Sequence, residues 1–217
     1  MTHLLVTNDF PPKLGGIQSY LWELWRRLDP AGVTVLTTPH PDAAAFDAEQ
    51  PYRVVRTAEK VLLPTPSLAR RIDALAAEVG AGLVVLDPAL PVGLLGPRLA
   101  TPYGLVLHGA EVTVPGRLPA SRALLGHVLR GASVVIAAGG YPAAEGEHAA
   151  GQSLPLTIVP PGIDPEAFHP LTDEEKAKAR ARLGLAESGG GGVRHSPHRP
   201  PQGMDVGLPG APAPAPA

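Results

Sequence analysis

The sequence predicts an α/β fold, a doubly wound parallel sheet, over residues 1–160. Three observations predict it. Short apolar runs alternate with helical patterns through most of the chain. Two of those runs, LVVLD (83–87) and YGLVLHG (103–109), are apolar almost throughout, as strands covered on both faces are. Gly/Pro-rich loops follow the strands where ligand-binding turns belong. Strands alternating with helices give a parallel sheet with right-handed crossovers and helices on its faces.

In chain order, HLLVTN (3–8) reads as the first strand, and DFPPKLGG breaks regular structure after it. A helix follows, with Ile17, Tyr20, Leu21, Leu24 and Leu28 at helical spacing and Ser19, Glu23, Arg26 and Arg27 opposite. VTVLT (33–37) is the second strand and RVVR (53–56) a weaker third. Ser67 is expected to cap a helix running to about Val79, with Leu68, Ile72, Leu75, Ala76 and Val79 as its apolar stripe. LVVLD is followed by a short helix near 91–100, and YGLVLHG by a helix near 120–131. SVVIAAGG (133–140), a helix over 142–150 and LTIVPPG (156–162) complete the alternation. Thr172 and Glu175 form a capping-box pattern that starts one more helix, with Gly184 as its stop.

Composition narrows the function. The 217 residues are 44% hydrophobic and 18% charged, enough for a packed core. A formal net charge of -2 gives nucleic acid nothing to bind, so no nucleic-acid partner is expected. The absence of cysteine removes disulfides, thiol nucleophiles and cysteine-type zinc sites. The start lacks a signal-peptide pattern, and no apolar run approaches the roughly 18 residues a membrane span needs. The expected location is therefore cytoplasmic. Arginine-rich, lysine-poor composition with one asparagine, 25 glycines and 27 prolines indicates a GC-rich coding sequence.

Three strand ends could carry chemistry, because ligands of doubly wound sheets bind at the carboxyl ends of the strands. In Asp9-Phe10-Pro11-Pro12-Lys13-Leu14-Gly15-Gly16, paired glycines admit a phosphate or sugar to the helix-start amides. A purely structural turn fits the same residues equally well. At His108-Gly109-Ala110-Glu111, the imidazole can donate to a bound hydroxyl or phosphate and Glu111 can orient it. The alternative there is a capped strand end. At Ala138-Gly139-Gly140-Tyr141, Tyr141 could stack on a ligand or simply pack. Trp22 and Trp25 beside Arg26 and Arg27 read as core packing with a solvated edge, the rival being a membrane-surface face. No Asp-x-Asp pair, Gly-x-Ser-x-Gly elbow, P-loop or dinucleotide fingerprint occurs, and His195 and His198 lack partners at metal spacing.

Taken together, DFPPKLGGIQSYLWEL, HGAEV and VPPGIDPEAFHP resemble, in order, the N-terminal half of a GT-B glycosyltransferase of the family 4 type. The likeness is strongest to actinobacterial mannosyltransferases acting on phosphatidylinositol mannosides, and it covers residues 1 to about 187. Gly162, Asp164, Phe168 and Pro170 match the family's inter-domain connector. The resemblance implies retaining transfer of a hexosyl, specifically mannosyl, group from a nucleotide sugar to a lipid or glycan acceptor. The co-substrate would be GDP-mannose, with no metal and no other cofactor. Carried over, His108 would be the catalytic contact at the transferred sugar. Gly15, Gly16 and Glu111 would hold the donor, and Asp9, Gln18 and Tyr141 would lie on the acceptor side. Peripheral contact with the inner face of the plasma membrane follows from a lipid acceptor.

The resemblance also implies a second, donor-binding domain, whose pattern is missing here. Residues 161–187 read as linker and helix, and 188–217 as a flexible Gly/Pro/Ala tail from a truncation or frameshift. Gly203-Met204-Asp205-Val206 looks like a remnant of the family's next segment, with Gln202 in place of its lysine. The rival expectations are another nucleotide-sugar transferase, an inactive remnant or binding module, and an unrelated nucleotide-binding α/β domain.

Overall fold

A computed structural model describes residues 1–109, 119–166 and 168–185. They fall in two compact units, Met1–Gly162 and Ile163–Ala217. In the first unit, β1 (His3–Thr7), β2 (Val33–Thr37), β3 (Arg53–Arg56), β4 (Leu83–Asp87), β5 (Tyr103–Leu107), β6 (Val134–Ala137) and β7 (Leu156–Ile158) form one sheet. Every pairing is parallel and the spatial order is β3-β2-β1-β4-β5-β6-β7. This is the doubly wound fold the alternation predicts. The order reverses direction between β1 and β4, so crossovers on the two sides leave on opposite faces, and ligands of this fold class bind above such a junction.

The helices are α1 (Gly16–Trp25), α2 (Ala43–Ala48), α3 (Pro66–Glu78), α4 (Pro119–Arg130) and α5 (Gly140–Ala150). Alternate residues of each strand serve opposite faces. Leu5, Val35, Val85 and Val106 pack with Tyr20, Leu21 and Trp25 of α1 and with Phe10. Leu4, Leu36, Leu86, Leu105 and Leu107 pack with side chains of α3, α4 and α5. The second unit contains α6 (Asp173–Arg182), and the Thr172–Glu175 capping box is formed in both directions. No described helix is long and apolar enough to cross a membrane.

Several local expectations need correction. The cap of α3 is Thr65, not Ser67: its hydroxyl accepts from the Leu68 amide. Pro66 explains the shift, since it occupies the first helical turn and drives the residue before it into extended backbone. The segment near 91–100 is a 3-10 turn, Val92–Arg98, interrupted by Pro97. The first helix ends at Trp25, which is buried; Leu24 packs partly buried beside it, and Leu28, read for the same stripe, is exposed. The apolar run YLWELW offers more than one buried face, and Leu21 with Trp25, four residues apart, wins. The short α2 follows Pro39 and Pro41, in a stretch to which the periodicity assigns no element. Two boundaries also move: β5 stops at Leu107 rather than 109, and α5 begins at Gly140 rather than 142.

Trp22 and its basic neighbours are satisfied within the fold. The Trp22 indole donates to Gln50 at 2.8 Å, and the Arg26 guanidinium sits 4.6 Å over the Trp22 ring. Arg26 and Arg27 both pair with Glu23. This is the packed reading of that helix face.

Two predictions follow from packing. A Cβ at Gly96 would lie 2.5 Å from the ring of Tyr103, whose hydroxyl is anchored to the Val128 carbonyl at 2.6 Å. Gly96→Ala therefore destabilises by about 1–3 kcal/mol through overpacking, read as a lower urea midpoint with unchanged slope. Separately, His3 lies 6.1 Å from the ring of Trp25, and burial holds its imidazole below the usual value. The folded chain thus binds fewer protons there than the unfolded chain. That stability is complete above the ordinary value of 6.5 and is lost as pH falls through the depressed folded one. Thermal melts between pH 7.5 and 5 check this, and His3→Gln flattens the slope.

Candidate functional site

The carboxyl ends of β1, β4 and β5 stand side by side, and each ends in a polar residue. Register places Thr7 level with both Thr37 on β2 and Asp87 on β4. By alternation these three residues face the α1 side of the sheet, with Leu5, Val35 and Val85 below them. Asp87 is fully buried at the end of an otherwise apolar strand. Its Oδ2 accepts from the Thr7 hydroxyl at 2.6 Å, and its Oδ1 lies 2.8 Å from His108 Nε2. Burial raises the Asp87 carboxyl above the usual range, and His108 and then Thr7 only partly offset it.

His108 directly follows β5, which ends at Leu107. Its side chain is 9% exposed. The ring of Tyr20 on α1 meets it edge-on, with centroids 5.4 Å apart and planes at 89°. Tyr20 is itself anchored through its hydroxyl, which donates to the Val159 carbonyl at 2.7 Å. Burial raises the Tyr20 phenol, with the nearby Asp87 charge adding to it. Gly109 sits at φ +145, a conformation that side chains rarely adopt.

The loop after β1 is tied down on several sides. The Asp9 amide donates to the Thr7 hydroxyl at 2.8 Å. Asn8 holds the Leu62 backbone in both directions, donating to its carbonyl and accepting from its amide. Arg56, on β3, grips Asp47 through two hydrogen bonds and also donates to the Thr38 and Pro11 carbonyls. Asp9 receives Gln18 Nε2 at 2.6 Å and Lys13 Nζ at 3.0 Å. Gly15 precedes α1 with no side chain capping the helix. The first-turn amides therefore lack an internal side-chain acceptor, and they carry the positive end of the helix dipole. Gly16 stands one turn before Tyr20 on the same helix face.

The structure thus joins two of the three sequence-read strand ends. Gln18 and Asp9 connect through Thr7 and Asp87 to His108, and Gly15 and Gly16 stand at the start of the helix that carries Gln18. Tyr141 lies in the first turn of α5 beyond β6, two strands from β4, and is 60% exposed. Glu111 lies outside the described residues. Among the described residues no group of three or more His, Cys, Asp or Glu could hold a metal. Sequence reading missed Asp87 and Thr7. The available signal was a lone carboxylate ending a buried apolar strand, which demands a partner. Its partner is 21 residues away in sequence, and nothing in local spacing points to it.

Substitutions at the paired glycines separate fold from ligand. A Cβ at Gly16 meets nothing within 4 Å, so Gly16→Ala leaves the melting temperature unchanged or slightly raised. If anionic groups approach the amide there, the same variant weakens their binding by about 10-fold, roughly 1.4 kcal/mol, in calorimetric titration. A Cβ at Gly15 would lie 2.1 Å from the Gln18 side chain, so Gly15→Ala displaces Gln18 from Asp9. The readout is a shift of the Gln18 side-chain amide resonances.

Comparison with known proteins follows the same outline. The model of Glycosyltransferase Family 4 matches residues 14–167. The chain is 37% identical over 194 residues to a GDP-mannose-dependent alpha-(1-6)-phosphatidylinositol monomannoside mannosyltransferase of Mycobacterium tuberculosis, covering 85% of this chain and 50% of that protein. A protein of the same description from Mycolicibacterium smegmatis is 38% identical with the same coverage. A GDP-mannose-dependent monoacylated alpha-(1-6)-phosphatidylinositol monomannoside mannosyltransferase of Corynebacterium glutamicum is 31% identical, again over 85% of this chain and 50% of that one. The chain therefore spans about half the length of the curated relatives it matches. Among solved structures, Anabaena HepE in complex with UDP superposes with a TM-score of 0.64 at 17% identity, over 85% of this chain and 50% of that one. Sucrose-phosphate synthase from Thermosynechococcus elongatus does so at 0.58 and 18%, over 86% and 53%. With the family match over most of the folded region and relatives above 30% identity, the chain belongs to glycosyltransferase family 4.

Proposed function

We propose that this chain is the acceptor-side half of a retaining mannosyltransferase, using GDP-mannose as donor and a phosphatidylinositol mannoside as acceptor. It would act at the cytoplasmic face of the plasma membrane. The observation that carries the reading is the convergence at one sheet edge of a carboxylate-held imidazole, an Asp–Gln pair and an uncapped helix start. The identity to GDP-mannose-dependent relatives over 85% of the chain supports the choice of donor and acceptor.

Each group has a task that suits its chemistry. Transfer of a glycosyl group builds positive charge on the sugar near its reacting carbon and negative charge on the departing diphosphate. His108, backed by the buried Asp87 carboxylate, meets the positive end in a site of low dielectric, where such charges act strongly. The amides of Gly16 and its neighbours at the start of α1 meet diphosphate oxygens, the ligand type that helix starts hold best. Asp9, fixed by Gln18 and Lys13, accepts a hydrogen bond from an acceptor hydroxyl. Glu111 and Tyr141 are supporting residues in this reading. No metal is assigned a role.

Joining this chain to the half of the Mycolicibacterium smegmatis relative that it does not match, and incubating the chimera with radiolabelled GDP-mannose and vesicles containing phosphatidylinositol monomannoside, tests the reading. The expected outcome is mannosyl transfer to lipid that falls about 100-fold in His108→Ala, a loss of about 2.7 kcal/mol of transition-state stabilisation. Retention is read from the anomeric configuration of the product by NMR. Vesicle binding without transfer replaces the enzyme with a binding module. Neither binding nor transfer removes both readings.

A further inference from the structure

We infer that Asp87, braced by Thr7, is a positioning residue that fixes both the ring orientation and the tautomer of His108. The inference rests on the reading of His108 as the sugar-facing imidazole. It adds an assignment for two buried residues that touch no solvent and are too enclosed to meet substrate themselves.

The hydrogen-bond directions decide the tautomer. The Asp9 amide can only donate, so it occupies a lone pair of the Thr7 hydroxyl at 2.8 Å. The hydroxyl's own hydrogen then goes to Asp87 Oδ2, at 2.6 Å. This donor and the facing imidazole favour the ionised carboxylate, against the burial that raises it. Its second oxygen, Oδ1, faces His108 Nε2 at 2.8 Å, and one proton must lie between them. With Asp87 ionised, that proton belongs to Nε2. In the neutral ring Nδ1 then carries the lone pair, so it accepts hydrogen bonds rather than donating them. This reverses the donor role read from sequence, which the ring could play through Nδ1 only as the imidazolium. The edge-on Tyr20 ring closes the remaining freedom of the imidazole to rotate.

A tautomer held in this way is a property of the chain alone, measurable without donor or acceptor. The experiment is nitrogen NMR on the ¹⁵N-histidine-labelled full chain above pH 8, with His108→Gln identifying its signal among the eight histidines. The expected wild-type spectrum has a protonated Nε2 and an unprotonated Nδ1 as separate resonances. In Asp87→Asn the Thr7 hydroxyl still donates to the amide oxygen, which turns the NH₂ group toward Nε2. The tautomer then flips to protonated Nδ1. Asp87→Ala gives exchange-averaged signals. Thr7→Val averages them in part, and Thr7→Ser restores the wild-type pattern. The Thr7 pair keeps the test decisive if the Asp87 variants fail to fold.

In the transfer assay, Asp87→Asn lowers turnover about 100-fold while the KM for GDP-mannose stays within about 3-fold, because the ring is misdirected but no substrate contact is removed. Averaged wild-type signals, or an unchanged tautomer in Asp87→Asn and Thr7→Val, would overturn the inference. A tautomer that responds as expected in a chain that transfers no mannose upholds the positioning role and removes the proposed reaction instead.

Discussion

Parallel pairing of β1 with β4 in a register that sets Thr7 opposite Asp87 is the constraint on which the site depends. Both strands are buried on both faces, so their positions are dictated by the packing of Leu4, Leu5, Val6, Val84, Val85 and Leu86. A slip of one residue would turn every one of those side chains to the wrong face. The core therefore enforces the register, and the register delivers the Thr7 hydroxyl to the Asp87 carboxylate. Stability and site geometry share one cause.

Burying a carboxylate at a strand end is costly unless its lone pairs are engaged. Here one oxygen is met by a hydroxyl and the other by an imidazole. The residual cost is visible as the upward push that burial gives the Asp87 carboxyl. A strand end optimised for stability alone would carry an aliphatic residue at this position. A polar pair is buried there instead, at the strand ends where this fold class binds ligands.

The loop between β1 and α1 shows how far local reading reaches. Its two prolines and two glycines mark it as irregular, and Gly15-Gly16 marks the helix start. Nothing local says that it is held in place. Its anchors are Asn8 on Leu62, Arg56 on Pro11 and the Asp9 amide on Thr7, which come from distant segments. The Gln18–Asp9 bond lies between these extremes. Both residues are legible as site candidates, and their contact spans nine positions across a loop whose path only the folded chain defines.

By itself the sequence determined the class of fold, the number of strands and their order along the chain, and the family, and it nominated His108, Asp9 and the paired glycines as site candidates. Periodicity and turn chemistry act over a few residues, and motif resemblance needs no coordinates. Tertiary structure decided what each of these touches. It placed the α3 cap at Thr65, sent Trp25 rather than Leu28 into the core, and showed Tyr141 standing two strands away from β4. It also brought Asp87 to His108 and Tyr20 to Val159, contacts 21 and 139 positions apart in the chain. Such contacts arise when strands distant in sequence pair side by side in the sheet, and the hydrophobic pattern that drives the pairing carries no record of which polar ends will meet.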